Sequence, residues 1–119
     1  MMDARPMIIV AALIVVDFLT GLFYAIYSKT FKSSVMREGG GHKLAELLAM
    51  GMLYALEYAL PMLGVSLPLP LVSCGAVYLA LMEIGSIFEN LGKINPEISA
   101  FLNDTLKKIK HEEGGDDGV

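Results

Sequence analysis

Three long apolar runs constrain the fold of this chain more than any other feature. They cover residues 7–28, 44–65 and 69–91. Each reaches the roughly 20 residues that a helix needs to cross a hydrocarbon core about 30 Å thick. Strands of a membrane barrel would be about ten residues long and strictly alternating. The sequence therefore predicts an all-α membrane protein with three transmembrane helices.

Composition agrees with that class and separates the body of the chain from its end. Charged residues make up 18% of the chain and hydrophobic residues 55%, whereas a soluble domain holds about 25% charged residues. The ending "HEEGGDDGV" contains four acids and no Lys or Arg, and without those four the acidic and basic residues balance. We expect a single membrane domain over residues 1–110 and a disordered acidic tail over residues 111–119.

The connections between the runs predict an orientation. The first, "KTFKSSVMREGGGHK", covers residues 29–43 and carries four basic residues, and its glycines, Gly39 to Gly41, are typical of a flexible turn. The second, "SLPLP", is short and uncharged, and more lysines follow the third run. The positive-inside rule then predicts a multi-pass protein with an outer N-terminus and a cytoplasmic C-terminus.

A shorter amphipathic helix is predicted at about residues 96–110. Asn95 is a good N-cap and Pro96 suits the first helical position. Apolar residues recur at three- and four-residue steps. This helix either lies on the membrane surface or packs on neighbouring subunits. Its expected membrane-surface residues are Lys107, Lys108 and Lys110.

Carboxylates within the runs are the most unusual feature. Asp17, Glu57 and Glu83 lie at depth, where an ionised acid costs roughly 2.5–3.5 kcal/mol. No Lys or Arg lies within a run, so we expect these acids to have no internal cation. They would be neutral, hydrogen-bonded to polar neighbours, or in contact with water.

Helical spacing groups these acids with small and polar residues, which favour close helix contacts. Glu89 points away from that face and is expected to anchor the junction near Lys93. The polar face is interpreted as contacts within one bundle, as a pore or oligomer face, or as a proton or cation relay. The residues predicted to line a pore or an oligomer interface are Asp17, Thr20, Gly21, Glu57, Glu83, Ser86 and Asn90.

Four local features together resemble the bacteriophage holins of the toxin-secretion and phage-lysis type. They are "DFLTGLFYA" in the first run, "SSVMREGGGHK" in the first connection, the acid Glu57 in the second run, and "EIGSIFENLGKINPEISAFL" from the third run onward. The last is the most specific, because four polar positions recur at fixed spacing inside an apolar segment. The acidic tail departs from the basic ending typical of holins.

The resemblance implies a function without covalent chemistry. Holins accumulate in the bacterial inner membrane and assemble into high-order homo-oligomers. These oligomers open lesions in the membrane. The lesions release an endolysin or a toxin, which the holin does not bind stably. We accordingly expect no catalytic residues, metal, cofactor or nucleic-acid partner. Two alternatives remain: a small ion- or proton-conducting channel or transporter subunit that uses the mid-span carboxylates, and an accessory subunit of a larger complex.

Overall fold

Four helices make up nearly all of residues 3–113, the part of the chain that this computed structural model describes. They are α1 (Arg5–Tyr27), α2 (Ser33–Met62), α3 (Leu71–Ile94) and α4 (Pro96–Glu113). The first three are long and apolar enough to cross a membrane, and α4 is shorter. The predicted fold class is therefore confirmed. The exact limits of the spans stay a prediction.

The second helix begins well before the predicted span. It is already helical at Ser33 and contains Gly39 to Gly41 in unbroken helix, so the prediction of a glycine turn is wrong. Because hydropathy falls where charged residues and glycines cluster, the apolar run located only the later part of this helix. Its most apolar stretch has a mean hydropathy of 1.2, against 2.4 in α1 and 1.8 in α3. Thus α2 is the least apolar of the three long helices.

Two residues with positive φ close the first two helices. After α1, Lys29 has a φ of 61°, and the Thr30 N–H donates to the Ala25 carbonyl at 2.9 Å. After α2, Gly64 has a φ of 86°, and the Val65 N–H donates to the Leu60 carbonyl at 2.9 Å. Both ends have the hydrogen bonding of a Schellman motif, which satisfies carbonyls that a helix end would leave free.

The three long helices run up, down and up, with α1 parallel to α3. The amino-terminal halves of α1 and α3 pack with the later part of α2 around an apolar core. Polar side chains and the buried Ile87 occupy the other half of the bundle. The buried members of the core are Val10, Ile14, Met50, Val72, Ala76 and Leu79.

The last helix packs against α3 alone within the described residues. The Asn95 side chain accepts a hydrogen bond from the Glu97 N–H at 3.0 Å, as its N-cap position predicts. The helix continues through Glu113, so the first three residues of the predicted acidic tail are helical. The rest of that tail lies outside the described residues.

Gly92 should be required for the contact between α3 and α4. A Cβ atom at this position would come within 2.8 Å of Ser99 Cβ, whereas one at Gly85 would meet nothing within 4 Å. We expect Gly92→Ala to lower the unfolding midpoint in mild detergent and to speed amide hydrogen exchange in α4. Gly85→Ala is the matched control and should be neutral or stabilising by up to about 1 kcal/mol, since Ala is the better helix former. Equal behaviour of the two variants would show that the contact is not tight.

Candidate functional site: a buried ion network

A lysine from α2 lies between acids from the other two long helices. The Lys43 ammonium contacts Glu83 Oε1 at 2.9 Å and Oε2 at 3.0 Å, and it also donates to Asp17 Oδ2. Asp17 is 5% exposed and Glu83 1% exposed. One cation therefore joins α1, α2 and α3 through two carboxylates that are almost completely buried.

The expectation that the mid-span acids lack an internal cation is thus wrong for Asp17 and Glu83. Lys43 was assigned to the connection because it precedes the second apolar run. The helix instead begins at Ser33, so Lys43 lies more than two turns inside it and level with Asp17, near the middle of α1. The signal available in the sequence was that two acids lie in apolar runs without Lys or Arg, while a lysine directly flanks the second run.

An amide group extends the network along the contact between α1 and α3. The Asn90 amide donates to Asp17 Oδ1 at 3.0 Å, to the Asp17 carbonyl at 3.2 Å and to Thr20 Oγ1 at 3.0 Å. Gly21 lies opposite this amide, and a Cβ atom there would stand 3.5 Å from Asn90 Nδ2, which is ordinary contact. Five predicted site residues therefore meet in one place: Asp17, Thr20, Gly21, Glu83 and Asn90.

An acid of α2, Glu46, also borders the network. Its Oε2 atom lies 3.9 Å from Lys43 Nζ, which is an ion-pair distance but too long for a hydrogen bond. The Glu46 side chain is 16% exposed, so this acid is a member of the site that the sequence did not predict.

An open cleft of about 380 Å³ leads from the network toward the connection between α1 and α2. It borders Asp17 and Lys43 and is wide enough to hold water. Ser86 lines this cleft rather than hydrogen-bonding within the network. The exposed Glu89 also lines the cleft, whereas Lys93 lies over the Tyr24 ring, 5.4 Å from its centroid. The structure therefore pairs Lys93 with an aromatic ring of α1.

The third predicted acid, Glu57, lies apart from the network. Its Oε1 atom accepts a hydrogen bond from the Val72 N–H at 2.9 Å. Val72 belongs to the first turn of α3, where free N–H groups and the positive end of the helix dipole favour a carboxylate. In this bundle, Glu57 therefore caps α3 across the "SLPLP" connection.

A tyrosine of α2 caps α1 in a similar way. The Tyr54 hydroxyl accepts a hydrogen bond from the Met7 N–H at 3.2 Å and donates one to the Asp3 carbonyl at 2.8 Å. Asp3, which precedes the helix, pairs with Arg5, and this hydrogen-bonded pairing lowers the pKa of the Asp3 carboxyl. The later part of α2 thus provides hydrogen-bond acceptors for backbone N–H groups in the first turns of α1 and α3.

These observations define a class: a multi-pass helical membrane protein whose bundle encloses an ion network. Comparison with protein families is more specific. The model of the bacteriophage holin family matches residues 3–111, nearly the whole chain. The chain therefore belongs to the bacteriophage holin family, and the resemblance inferred from the sequence is confirmed. Membership suggests a non-enzymatic membrane protein. Neither the curated proteins nor the solved structures contain a match to this chain.

Removing the network's cation should strongly destabilise the bundle. Lys43→Met leaves two buried acids without a counter-ion, and breaking a buried pair in this way costs about 3–5 kcal/mol. We expect that loss in unfolding titrations in mixed detergent micelles. Lys32→Met, at an exposed position, is the control and should change the stability by no more than about 0.5 kcal/mol.

A neutral triple variant separates charge from shape. Lys43→Met combined with Asp17→Asn and Glu83→Gln removes the unpaired charges and should recover most of the lost stability. A Lys43→Met protein as stable as the Lys32→Met protein would contradict the network.

Glu57 should stabilise the bundle by capping the first turn of α3. Glu57→Ala removes the acceptor and should cost about 1 kcal/mol of unfolding free energy. Glu57→Gln keeps an oxygen acceptor and should lose less than half of that amount in the same titration. Equal losses in both variants would show that the negative charge matters and not the hydrogen bond.

Proposed function

We propose that this protein is a holin that oligomerises in the bacterial inner membrane and opens lesions that release an endolysin, or a toxin, from the cytoplasm. The family match over residues 3–111 carries this proposal. It is supported by three helices able to cross a membrane and by an ion network that holds them in one bundle. The released enzyme or toxin need not bind stably, because a lesion discriminates only by size.

The ion network stabilises the bundle of a single chain, here called the closed bundle. The same side chains could also be satisfied in a second arrangement. Buried ion pairs are stable while every charge has its partner, and they become costly when one partner leaves. The same side chains can be hydrated instead if copies of the chain assemble around water. Asp17, Glu83 and Asn90 would then leave their contacts within one chain, and together with Ser86 they would line the lesion or the contacts between copies.

The second helix is the least buried of the three long helices, which favours assembly between copies of the chain. Within its most apolar stretch, 6% of the residues are buried inside the chain, against 17% in α1 and 28% in α3. Small residues let helices approach closely in lipid, and α2 carries Gly41, Ala45 and Ala49 on exposed positions. We propose that α2 exchanges contacts with α1 and α3 for contacts with other copies. Glu57 would then release the first turn of α3.

Membrane potential offers a trigger. A charge moved across the membrane couples at about 2.3 kcal/mol per 100 mV. When many subunits each move part of a charge, the response becomes steep. Lys43 and its partners supply the charges, and the cleft beside them provides room to move. We propose that depolarisation favours the open assembly.

The proposed orientation places the N-terminus outside and the C-terminus in the cytoplasm. Lys29 and Lys32 remain at the connection between α1 and α2, although Lys43 no longer contributes there. The exposed lysines of α4 and its exposed Phe101 fit a helix on the inner leaflet. Each lysine near anionic headgroups contributes about 1 kcal/mol. These membrane-surface lysines are Lys107, Lys108 and Lys110.

Inducible expression in a bacterium, with and without a cytoplasmic muralytic enzyme, tests the function. We expect an abrupt fall in turbidity only when both proteins are present, since the enzyme must cross the membrane to reach the cell wall. Selective ion conductance without lysis would instead indicate a channel subunit, which the family match does not favour. Expression without conductance or lysis would contradict both functions.

Variants of the network should shift the time of lysis. At equal expression, Asp17→Asn or Glu83→Gln weakens the closed bundle, so we expect earlier lysis or failure to accumulate. The control is Glu89→Gln, because Glu89 is exposed and its side chain is outside the ion network. If Asp17→Asn and Glu83→Gln gave the lysis times and oligomer sizes of the unchanged protein, the proposed role of the network would be contradicted.

A further inference from the structure

A groove of about 400 Å³ runs over the surface of the bundle between α1 and α3. It begins near the amino-terminal ends of these parallel helices, and on α3 it extends from Ser73 to Ala80, about 10 Å of helix. Its walls are mainly apolar and include Ile9 from α1 and Ala76 and Val77 from α3. Among the described residues α2 and α4 contribute none to the lining, so in a membrane this groove is open to acyl chains.

A pair of opposite charges lies at the amino-terminal end of the groove. Asp3 precedes α1, and Arg5 is the first residue of that helix. The Arg5 Nε atom donates to Asp3 Oδ1 at 3.0 Å and to Oδ2 at 3.1 Å. Their side chains are 52% and 84% exposed. Because the end of a transmembrane helix meets the headgroup layer, this pair is placed where lipid headgroups lie.

The ion pair keeps hydrogen-bonding groups for a ligand. Among the described residues, only the Nε atom of the Arg5 side chain donates to Asp3, so both terminal nitrogens of the guanidinium remain available to an acceptor. The Asp3 carboxylate also has room for a further donor at Oδ2. A phosphate accepts parallel hydrogen bonds from a guanidinium, and a carboxylate accepts one from an ammonium. The neutral pair therefore matches a headgroup that carries both charges.

We propose that this groove binds one phospholipid with an ethanolamine headgroup, whose phosphate contacts Arg5, whose ammonium donates to Asp3, and whose acyl chain lies along α3 toward Ala80. The order of these contacts follows the lipid, since the headgroup lies at the end of the helices and the chain points into the membrane. A choline nitrogen has no hydrogen to donate, and a glycerol headgroup carries no cation. The site therefore selects the headgroup, and it does so whether or not the protein releases an endolysin.

Native mass spectrometry of the full chain tests the site without any variant. The protein is reconstituted in nanodiscs with equal amounts of ethanolamine, choline and glycerol phospholipids that have identical acyl chains. We expect the ethanolamine lipid to be retained at least about threefold more than either other lipid, as one exposed ion pair allows. Equal retention of the three lipids, or preference for either of the others, would overturn the proposal.

Variants of the charged pair separate its two contacts. Asp3→Asn should retain the ethanolamine and choline lipids about equally, because the amide carries no charge to pair with the ammonium. Its control is Asp104→Asn, at an exposed position of α4, which should keep the preference. Arg5→Gln should lower retention of the ethanolamine lipid by at least about threefold, whereas Arg37→Gln, also exposed, should not. A preference unchanged in both Asp3→Asn and Arg5→Gln would contradict the assigned contacts.

A bulkier side chain in the groove tests the place of the acyl chain. Ala80→Leu should lower lipid retention without changing the oligomer size, and Ala55→Leu, at an exposed position of α2, is the matched control. If Ala80→Leu kept the lipid but reduced the oligomer size, the groove would hold a second copy of the chain and the proposal would be wrong.

Discussion

One ammonium group holds this bundle together. Lys43 contacts an acid of α1 and an acid of α3, so it joins all three long helices at a single point. Lipid offers little hydrophobic driving force between helices, because its tails are as apolar as leucine. Polar contacts and close packing must therefore decide which helices meet. The cost of leaving either acid unpaired makes Lys43 the contact on which the closed arrangement depends.

The Lys43 contact lies between two halves of the bundle that differ in their packing. On one side, apolar packing between α1, α3 and the later part of α2 is reinforced by Tyr54 and Glu57, which cap α1 and α3. On the other side, the early, glycine-rich part of α2 lines an open cleft. The first half is built for stability, and the second leaves room for movement. The proposed function needs both, since it requires the protein to accumulate without harm and then rearrange.

The sequence could predict the helices and most of the polar face, because hydropathy and helical spacing are local properties. Asp17, Thr20, Glu83 and Asn90 were expected together and do meet, and Asn95 caps α4 as expected. Lys43 was missed because charged residues and glycines lower the hydropathy at the start of α2, so the apolar run located only the later part of that helix. The glycines were read as a turn for the same reason. Glu57 was grouped with the other acids, although its place near the end of α2 brings it to the first turn of α3.

Solid-state nuclear magnetic resonance in lipid vesicles would test the network most directly. Isotope-labelled lysine Nζ and glutamate carboxyl carbons report whether the two groups lie in contact in the membrane. The account predicts a contact between Lys43 and Glu83 that matches nitrogen–oxygen distances of 2.9 and 3.0 Å and that disappears in Lys43→Met. A Lys43 signal without a nearby carboxyl group in the closed, unassembled protein would contradict it.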